Sequence, residues 1–201
     1  VFMSNLCQEI TLPTHPLTHI DDHVGEIALC ILSAVNVGKI RSDEELEDLC
    51  DLAVRGLEEL IDYQKYPVVA AEIATKARRS LGVGFIGLAH YLAKLGYNYG
   101  SQEAWDAVHG LSESFQYYLL KASNKVAEEK GHCEYFGRTK YADGILPIDT
   151  YKKDVDEISS QELQHDWESL RSSILEHGLR HSTLSAQMPS ESSSVVCNAT
   201  N

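Results

Sequence analysis

The stretch IALCILSAVNV, residues 27–37, is the part of the chain that decides its fold class. It is rich in Ile, Leu and Val and is followed by Gly38. Such an apolar run is typical of a strand that is buried on both faces, as in a parallel sheet covered by helices. Periodicity alone leaves a short buried helix open as the alternative.

Helical patterns follow this run. Ser42 is placed to cap a helix, with Glu45 completing a capping box. Further helical patterns span residues 70–95 and 101–130, the second with Ser101 as its cap. The residues predicted to face inward are Leu46, Leu49, Ala53, Leu57, Leu60 and Ile61 in the first helix, and Trp105, Val108, Phe115, Leu119, Ala122 and Val126 in the last.

The end of the chain adds one more helix and one more strand. The helix is predicted to carry Leu163 and Trp167 on its buried face and to end at His177, before Gly178. Residues 182–187, STLSAQ, then form a short strand. Strands separated by long helices favour an α/β architecture.

Composition excludes several classes of protein. The 201 residues, 43% hydrophobic, suffice for one domain or a large piece of one. A net charge of −13 gives no general electrostatic reason to bind nucleic acid or an anionic membrane. Because there is no transmembrane run and no signal peptide, we predict a cytoplasmic location. The chain starts at Val1 within an active-looking motif and stops at Asn201, so we expect an internal piece of a longer protein.

The cysteines do not predict a metal site. They are Cys7, Cys30, Cys50, Cys133 and Cys197. They form no CxxC pair and show no zinc-like spacing to histidine, so we interpret them as packed or reactive thiols. The segment HIDDH, residues 19–23, contains metal-ligand residue types but is interpreted as a solvated loop.

The motif SNLCQEI, residues 4–10, indicates chemistry. In an extended segment Asn5, Cys7 and Glu9 would line one side, about 6 to 7 Å apart. That spacing is on the scale of a sugar ring. The motif therefore predicts a small reaction site.

A second motif, PSESS at residues 189–193, is called the serine turn below. Pro189 favours an extended residue before it, and Ser190 is a natural helix cap. A helix start offers free N–H groups, and the crowded serine hydroxyls suit phosphate. A plain helix cap is the alternative.

The motif GVGFIG, residues 82–87, matches a dinucleotide-binding pattern without its preceding strand, so we interpret its glycines as allowing close helix packing.

Together these motifs resemble the large, catalytic subunit of class I ribonucleotide reductases. The resemblance rests on SNLCQEI at 4–10, GEIALCILSAVNVG at 25–38, LPIDTYKKD at 146–154, HGLRHSTLSAQMPSESSS at 177–194 and NATN at 198–201. It covers the whole chain but only a middle-to-late portion of that subunit. It implies part of a ten-stranded α/β barrel, with long flanking helices and with a finger-loop cysteine near the start of residues 1–201.

The resemblance also implies residue roles. Cys7 matches the cysteine that becomes a thiyl radical, Glu9 the base that takes the 3′-OH proton, and Asn5 an amide that binds the substrate hydroxyls. Cys30 matches one of two redox-active cysteines, whose partner would come from an earlier strand. The residues matched to the substrate phosphate loop are Pro189, Ser190, Glu191, Ser192 and Ser193.

The implied reaction is reduction of ribonucleoside diphosphates to 2′-deoxyribonucleoside diphosphates. The implied partners are a metal-containing small subunit that supplies the radical, a second large subunit, and thioredoxin or glutaredoxin as reductant. ATP, dATP and other effectors would bind elsewhere in the subunit, with no cofactor or metal held by this chain. Two alternatives are a cysteine hydrolase or transferase, which needs a histidine base for Cys7, and a non-catalytic helical interaction module.

Overall fold

The structure, a computed structural model, describes residues 7–201. Within that range the regular strands are β1 (Ile31–Asn36) and β2 (Leu81–Ile86). The α-helices are α1 (Asp43–Tyr63), α2 (Val69–Arg78), α3 (Leu88–Leu95), α4 (Gln102–Lys130), α5 (Pro147–Thr150), α6 (Trp167–His177) and α7 (Glu191–Cys197). Short 3-10 turns occupy Val37–Lys39, Phe136–Arg138, Lys140–Asp143 and Lys153–Glu157.

The two strands are parallel and pair along their whole length. A third extended segment, residues 183–186, lies beside β2. The Leu81 N–H donates to the Thr183 carbonyl over 2.9 Å, and the Val83 N–H donates to the Leu184 carbonyl over 2.8 Å. The strand predicted at 182–187 is therefore an extended segment with one parallel bridge to β2 and not a regular strand. Parallel strands joined through helices confirm the α/β prediction.

Burial is concentrated in β2 and not in β1. Leu81 and Val83 are fully buried, because β2 lies between β1 and the 183–186 segment. Leu32 of β1 is 43% exposed, because β1 has only one neighbouring strand within residues 7–201. The strand predicted at residues 27–37 is therefore present but shorter than predicted. The prediction that it is buried on both faces is wrong for the described residues.

The prediction of one long helix over residues 70–95 is also wrong. It is divided into α2, β2 and α3. Arg79 adopts a left-handed conformation, with φ of 48°, and ends α2. A Cβ added to Gly84 would lie 2.4 Å from the carbonyl oxygen of Ala186, so glycine is required where the chain passes this close. The glycines of the GVGFIG motif thus allow two extended segments to approach, and they do not pack helices.

Helix α1 packs against α4 and against both strands to form the core. Leu57, Ile61, Phe115 and Leu119 are buried as predicted. The predictions failed for Leu60, Trp105 and Leu163, which are 44%, 44% and 49% exposed. Leu163 precedes α6, so the helical spacing used to place it does not extend to that residue.

The predicted helix caps are present. The Ser42 hydroxyl accepts the Glu45 N–H over 3.3 Å, and the Ser101 hydroxyl accepts the Ala104 N–H over 3.3 Å. The Glu45 carboxylate accepts the N–H of Arg41 at 2.8 Å, so the predicted capping box is displaced by one residue on that side. None of the helices in residues 7–201 is long and apolar enough to cross a membrane.

Candidate functional site

The first predicted site segment is only partly described. Asn5 lies outside the described residues. Cys7 is exposed in a turn, and Gln8 has a left-handed φ of 59°, so the segment is not extended at this point. The alternation expected for an extended row therefore does not apply between Cys7 and Glu9. One carboxylate oxygen of Glu9, Oε2, is buried without a hydrogen-bond partner in the described structure.

Cys30 lies immediately before β1 and is partly buried. It packs against a small apolar cluster that contains Ile10, Leu12 and Ala186. Burial, together with the negative charge of Glu9, raises the pKa of the Cys30 thiol. The fold therefore brings Glu9 and Cys30 close enough to interact electrostatically, and it keeps the Cys30 thiol protonated near neutral pH.

The serine turn begins helix α7. Ser190 is 4% exposed and its hydroxyl donates to the Asn201 side chain, so it does not cap the helix. Glu191, Ser192 and Ser193 are exposed. Their N–H groups belong to the first turn of the helix and have no hydrogen-bond partner in the described part of the chain. Three backbone donors and two hydroxyls without a protein partner among residues 7–201 therefore lie at one exposed helix start.

Both ends of this region are fastened to the sheet. Before the turn, the Gln187 side chain donates to the Phe85 carbonyl of β2 over 2.6 Å. After the turn, the Thr200 carbonyl accepts the Gly87 N–H over 2.8 Å. Since Ala186 belongs to the apolar cluster against which Cys30 packs, the redox-cysteine candidate and the serine turn adjoin the two extended segments that flank β2 in one sheet.

A buried polar cluster lies just before β2 and the 183–186 segment, and sequence reasoning missed it. We call it the strand cluster: Glu58 of α1, Arg79 before β2, Ser123 of α4, and Arg180 and His181 before the 183–186 segment. Glu58 is 1% exposed and its carboxylate accepts from Arg79 Nε and Arg180 Nε, both at 2.7 Å. His181, fully buried, places Nε2 2.9 Å from the same carboxylate and Nδ1 2.9 Å from the Ser123 hydroxyl.

The available sequence signal for this cluster was an acidic residue on an apolar helix face. Glu58 lies between Leu57 and Ile61, which are both buried. Burial alone would favour its neutral form. Hydrogen bonds from His181, Arg79 and Arg180 outweigh that effect and hold the pKa of Glu58 well below its usual range.

A second cluster lies further towards the N-terminus of α4. We call it the loop cluster: Glu113 and Ser114 of α4, with His165 and Trp167. One Glu113 oxygen accepts the N–H groups of residues 164 and 165, at 2.8 and 3.1 Å, and the Trp167 Nε1–H at 3.0 Å. The Ser114 hydroxyl lies 2.8 Å from His165 Nε2. This cluster holds the loop before α6.

Two further features stand apart from the predicted site residues. In the HIDDH segment, Asp22 accepts backbone N–H groups from residues 18, 24 and 25, which lowers its pKa and organises the loop. A cavity of about 740 Å³ lies between α4 and the loop that follows α5, with Trp105, Tyr151 and Leu163 in its wall. None of the predicted site residues lines this cavity.

Comparison with known proteins gives a consistent result. A family model described as "Ribonucleotide reductase, barrel domain" matches residues 1–201. A ribonucleoside-diphosphate reductase subunit alpha of Haemophilus influenzae is 61% identical over 201 residues, which is 100% of this chain and 27% of that protein. An Escherichia coli K12 relative, ribonucleoside-diphosphate reductase 1 subunit alpha, is 57% identical over 100% of this chain and 26% of its own length. The Enterobacteria phage T4 subunit alpha is 46% identical, covering 98% of this chain and 26% of its own length. The chain thus spans about a quarter of these relatives.

Proposed function

Because the chain belongs to the ribonucleotide reductase barrel-domain family, we propose that it forms part of the catalytic barrel of a ribonucleoside-diphosphate reductase alpha subunit. The complete barrel would have ten strands, of which β1, β2 and the 183–186 segment are three neighbours. Residues 4–10 would form the finger loop. The subunit would act in the cytoplasm, as a homodimer, with a metal-containing small subunit that supplies the radical.

The proposed reaction begins at Cys7. Its thiyl radical abstracts the 3′ hydrogen of a ribonucleoside diphosphate, which forms an S–H bond and a substrate radical. Glu9 accepts the 3′-OH proton, and Asn5 would hold the substrate hydroxyls. The buried Glu9 Oε2 without a partner supports this role, because an unpaired carboxylate oxygen is free to accept a hydroxyl hydrogen bond.

Cys30 has the proposed role of reductant. Together with a partner cysteine from another part of the subunit, it gives two electrons as the 2′-OH leaves as water, and the pair becomes a disulfide. Cys7 then returns its hydrogen to C3′. The raised pKa of Cys30 favours this role, because the thiol still carries the proton that the leaving hydroxyl requires. Thioredoxin or glutaredoxin would restore the dithiol.

The observation that carries the proposal is the meeting of two features at one sheet. Cys30 packs against the apolar cluster that contains Ala186, and the serine turn begins three residues after Ala186, with free N–H groups at residues 191–193. A sugar near Cys30 and a diphosphate on that turn would then belong to one bound nucleotide. Effectors such as ATP and dATP would bind in other parts of the subunit.

The test is Cys7→Ser in the complete alpha subunit, assayed with the small subunit. We expect no deoxynucleotide formation, because an alcohol O–H bond is too strong for the hydroxyl to act as a radical hydrogen carrier. Substrate binding should persist, because serine and cysteine are similar in size. The control is Cys197→Ser, which replaces another exposed, unpaired cysteine and should remain active. Deoxynucleotide formation by Cys7→Ser under full radical supply would refute the role of Cys7.

A further inference from the structure

The strand cluster lies at the starting point of two neighbouring strands. Arg79 is two residues before β2, and Arg180 and His181 are just before the 183–186 segment. All three contact Glu58, which belongs to α1. One buried carboxylate therefore holds the starts of both strands against the same helix.

The hydrogen bonds of His181 define a single proton arrangement. Its main-chain N–H donates to the Ser123 hydroxyl over 3.2 Å, and its Nδ1 lies 2.9 Å from the same oxygen. Ionised Glu58 can only accept, so the ring carries its proton on Nε2, which donates to Glu58 at 2.9 Å. Nδ1 of the neutral ring is then an acceptor, and the Ser123 hydroxyl donates to it. Every polar atom of this chain of contacts is satisfied when His181 is neutral.

Charge balance supports the same arrangement. Arg79 also donates to Asp62 at 2.7 Å, so two arginines face two carboxylates, those of Glu58 and Asp62. With a neutral His181 the group has no net charge. Glu58 and Arg79 are buried, whereas Asp62 is exposed to solvent. The buried members are held in place, because a displacement would leave a buried charge unpaired.

The segment from this cluster to the serine turn is short and held by β2. After His181, the Thr183 and Leu184 carbonyls accept N–H groups from β2 over 2.9 and 2.8 Å. Ala186 and Met188 then pass close to Gly84. The position of the strand start is therefore transmitted along an extended segment to Pro189 and the turn.

We propose that Ser123 and Glu58 are positioning residues for the diphosphate of the substrate, acting through His181 to fix the register of the 183–186 segment on β2 and so the place of the serine turn. The inference rests on the proposed function, since it assigns diphosphate binding to that turn. Neither residue touches the substrate in this arrangement. Their effect is on where the turn N–H groups point.

The loop cluster supplies a matched control. Ser114 and Ser123 are both buried serines of α4 and each bonds a histidine, at 2.8 and 2.9 Å. Only the Ser123 partner, His181, leads into the serine turn. A difference in substrate binding between variants at these two positions therefore reports on positioning and not on the loss of a buried hydrogen bond as such.

The experiment compares Ser123→Ala with Ser114→Ala in the complete alpha subunit, assayed with its small subunit. We expect a decrease in thermal midpoint for both, and a larger one for Ser123→Ala because its hydroxyl makes two hydrogen bonds with His181 and that of Ser114 makes one with His165. Only Ser123→Ala should raise the KM for the nucleoside diphosphate, by about threefold to tenfold with kcat little changed, as when one positioning hydrogen bond is lost. The Kd of the nucleoside without phosphates should stay the same. Equal KM values for the two variants would overturn the inference.

A third variant distinguishes this inference from the function on which it rests. The double change Ser192→Ala with Ser193→Ala removes the two exposed hydroxyls of the turn. Weaker diphosphate binding in the double variant, together with an unchanged KM for the nucleoside diphosphate in Ser123→Ala, would overturn the positioning role alone. Unchanged diphosphate binding in both the double variant and Ser123→Ala would overturn the serine turn as the phosphate site, and the inference with it.

Discussion

The strand cluster and the loop cluster combine the same residue types in two different ways. Each contains a buried glutamate, a serine of α4 and a histidine. In the strand cluster, two arginine guanidinium groups donate to the Glu58 carboxylate. In the loop cluster, Glu113 is held by two backbone N–H groups and an indole N–H. One carboxylate therefore depends on opposite charges, and the other depends on dipoles.

This difference affects what each cluster can hold in place. Backbone N–H groups are fixed by the local turn, so Glu113 secures the residues that immediately precede α6. Side-chain guanidinium groups reach across the fold, so Glu58 joins α1 to the starts of β2 and the 183–186 segment. The first arrangement stabilises a loop, whereas the second sets the relative position of distant segments.

The largest expected effect comes from Glu58→Gln. It leaves Arg79 and Arg180 buried with one carboxylate fewer, and breaking a buried ion pair in this way costs about 3 to 5 kcal/mol. Glu113→Gln keeps an oxygen that accepts the same N–H groups, so we expect a loss of about 1 to 2 kcal/mol. Native-state hydrogen exchange at the His181 and His165 amides measures the opening free energy of each cluster. Equal losses would contradict the distinction between charge and dipole stabilisation.

A second, smaller effect depends on pH. Burial lowers the pKa of His181, although its hydrogen bond with Glu58 opposes this. The unfolded chain, with a histidine pKa of about 6.5, therefore takes up a proton before the folded protein does. The contribution of neutral His181 is complete above that pH and is lost as the pH falls towards the folded pKa. Glu58 acts in the same direction below about pH 4.3, because its folded pKa is also lowered.

The measurement is the thermal midpoint of the complete subunit at pH 7 and pH 5, for the wild type and for His181→Gln. The glutamine has no group that titrates in this range. The thermal midpoint of the wild type should therefore fall more between pH 7 and pH 5 than that of the variant. The difference in thermal midpoint between the two proteins should be smaller at pH 5. Parallel slopes would show that burial of neutral His181 does not contribute to acid sensitivity.

Sequence reasoning succeeded where the interaction is local. The Ser42 and Ser101 caps each bond an N–H three residues later, so a four-residue pattern contains the whole interaction. It failed over residues 70–95, because β2 is defined by contacts of Gly84 with Ala186 and Met188, about a hundred residues further along the chain. An Ala-rich helical pattern on either side of the glycines gave no sign of those contacts.

The candidate site shows the same limit. The identities of Cys7, Glu9, Cys30 and the serine turn came from the resemblance of whole phrases, and the roles of these residues remain predictions. The strand cluster was missed because Glu58 bonds Arg180 and His181, which lie 122 and 123 positions further along the chain. A lone acidic residue on an apolar helix face indicated that a partner was needed, but nothing near it in sequence identified Arg180 or His181.

The smallest expected effect is Trp167→Phe, which removes one of the three donors to Glu113. The phenyl ring keeps the edge-on aromatic contact with Tyr117, now 5.2 Å between ring centroids, so most packing remains. The two backbone N–H groups still hold the carboxylate. We therefore expect the opening free energy measured by hydrogen exchange at the His165 amide to fall by about 1 kcal/mol. Exchange at the His181 amide and the KM for the nucleoside diphosphate should not change, because no contact links this indole to the strand cluster. A loss larger than that of Glu113→Gln would show that the indole, and not the backbone, is the main support of Glu113. A changed KM would show that the loop cluster also positions the serine turn, and the contrast between the two clusters would then be wrong.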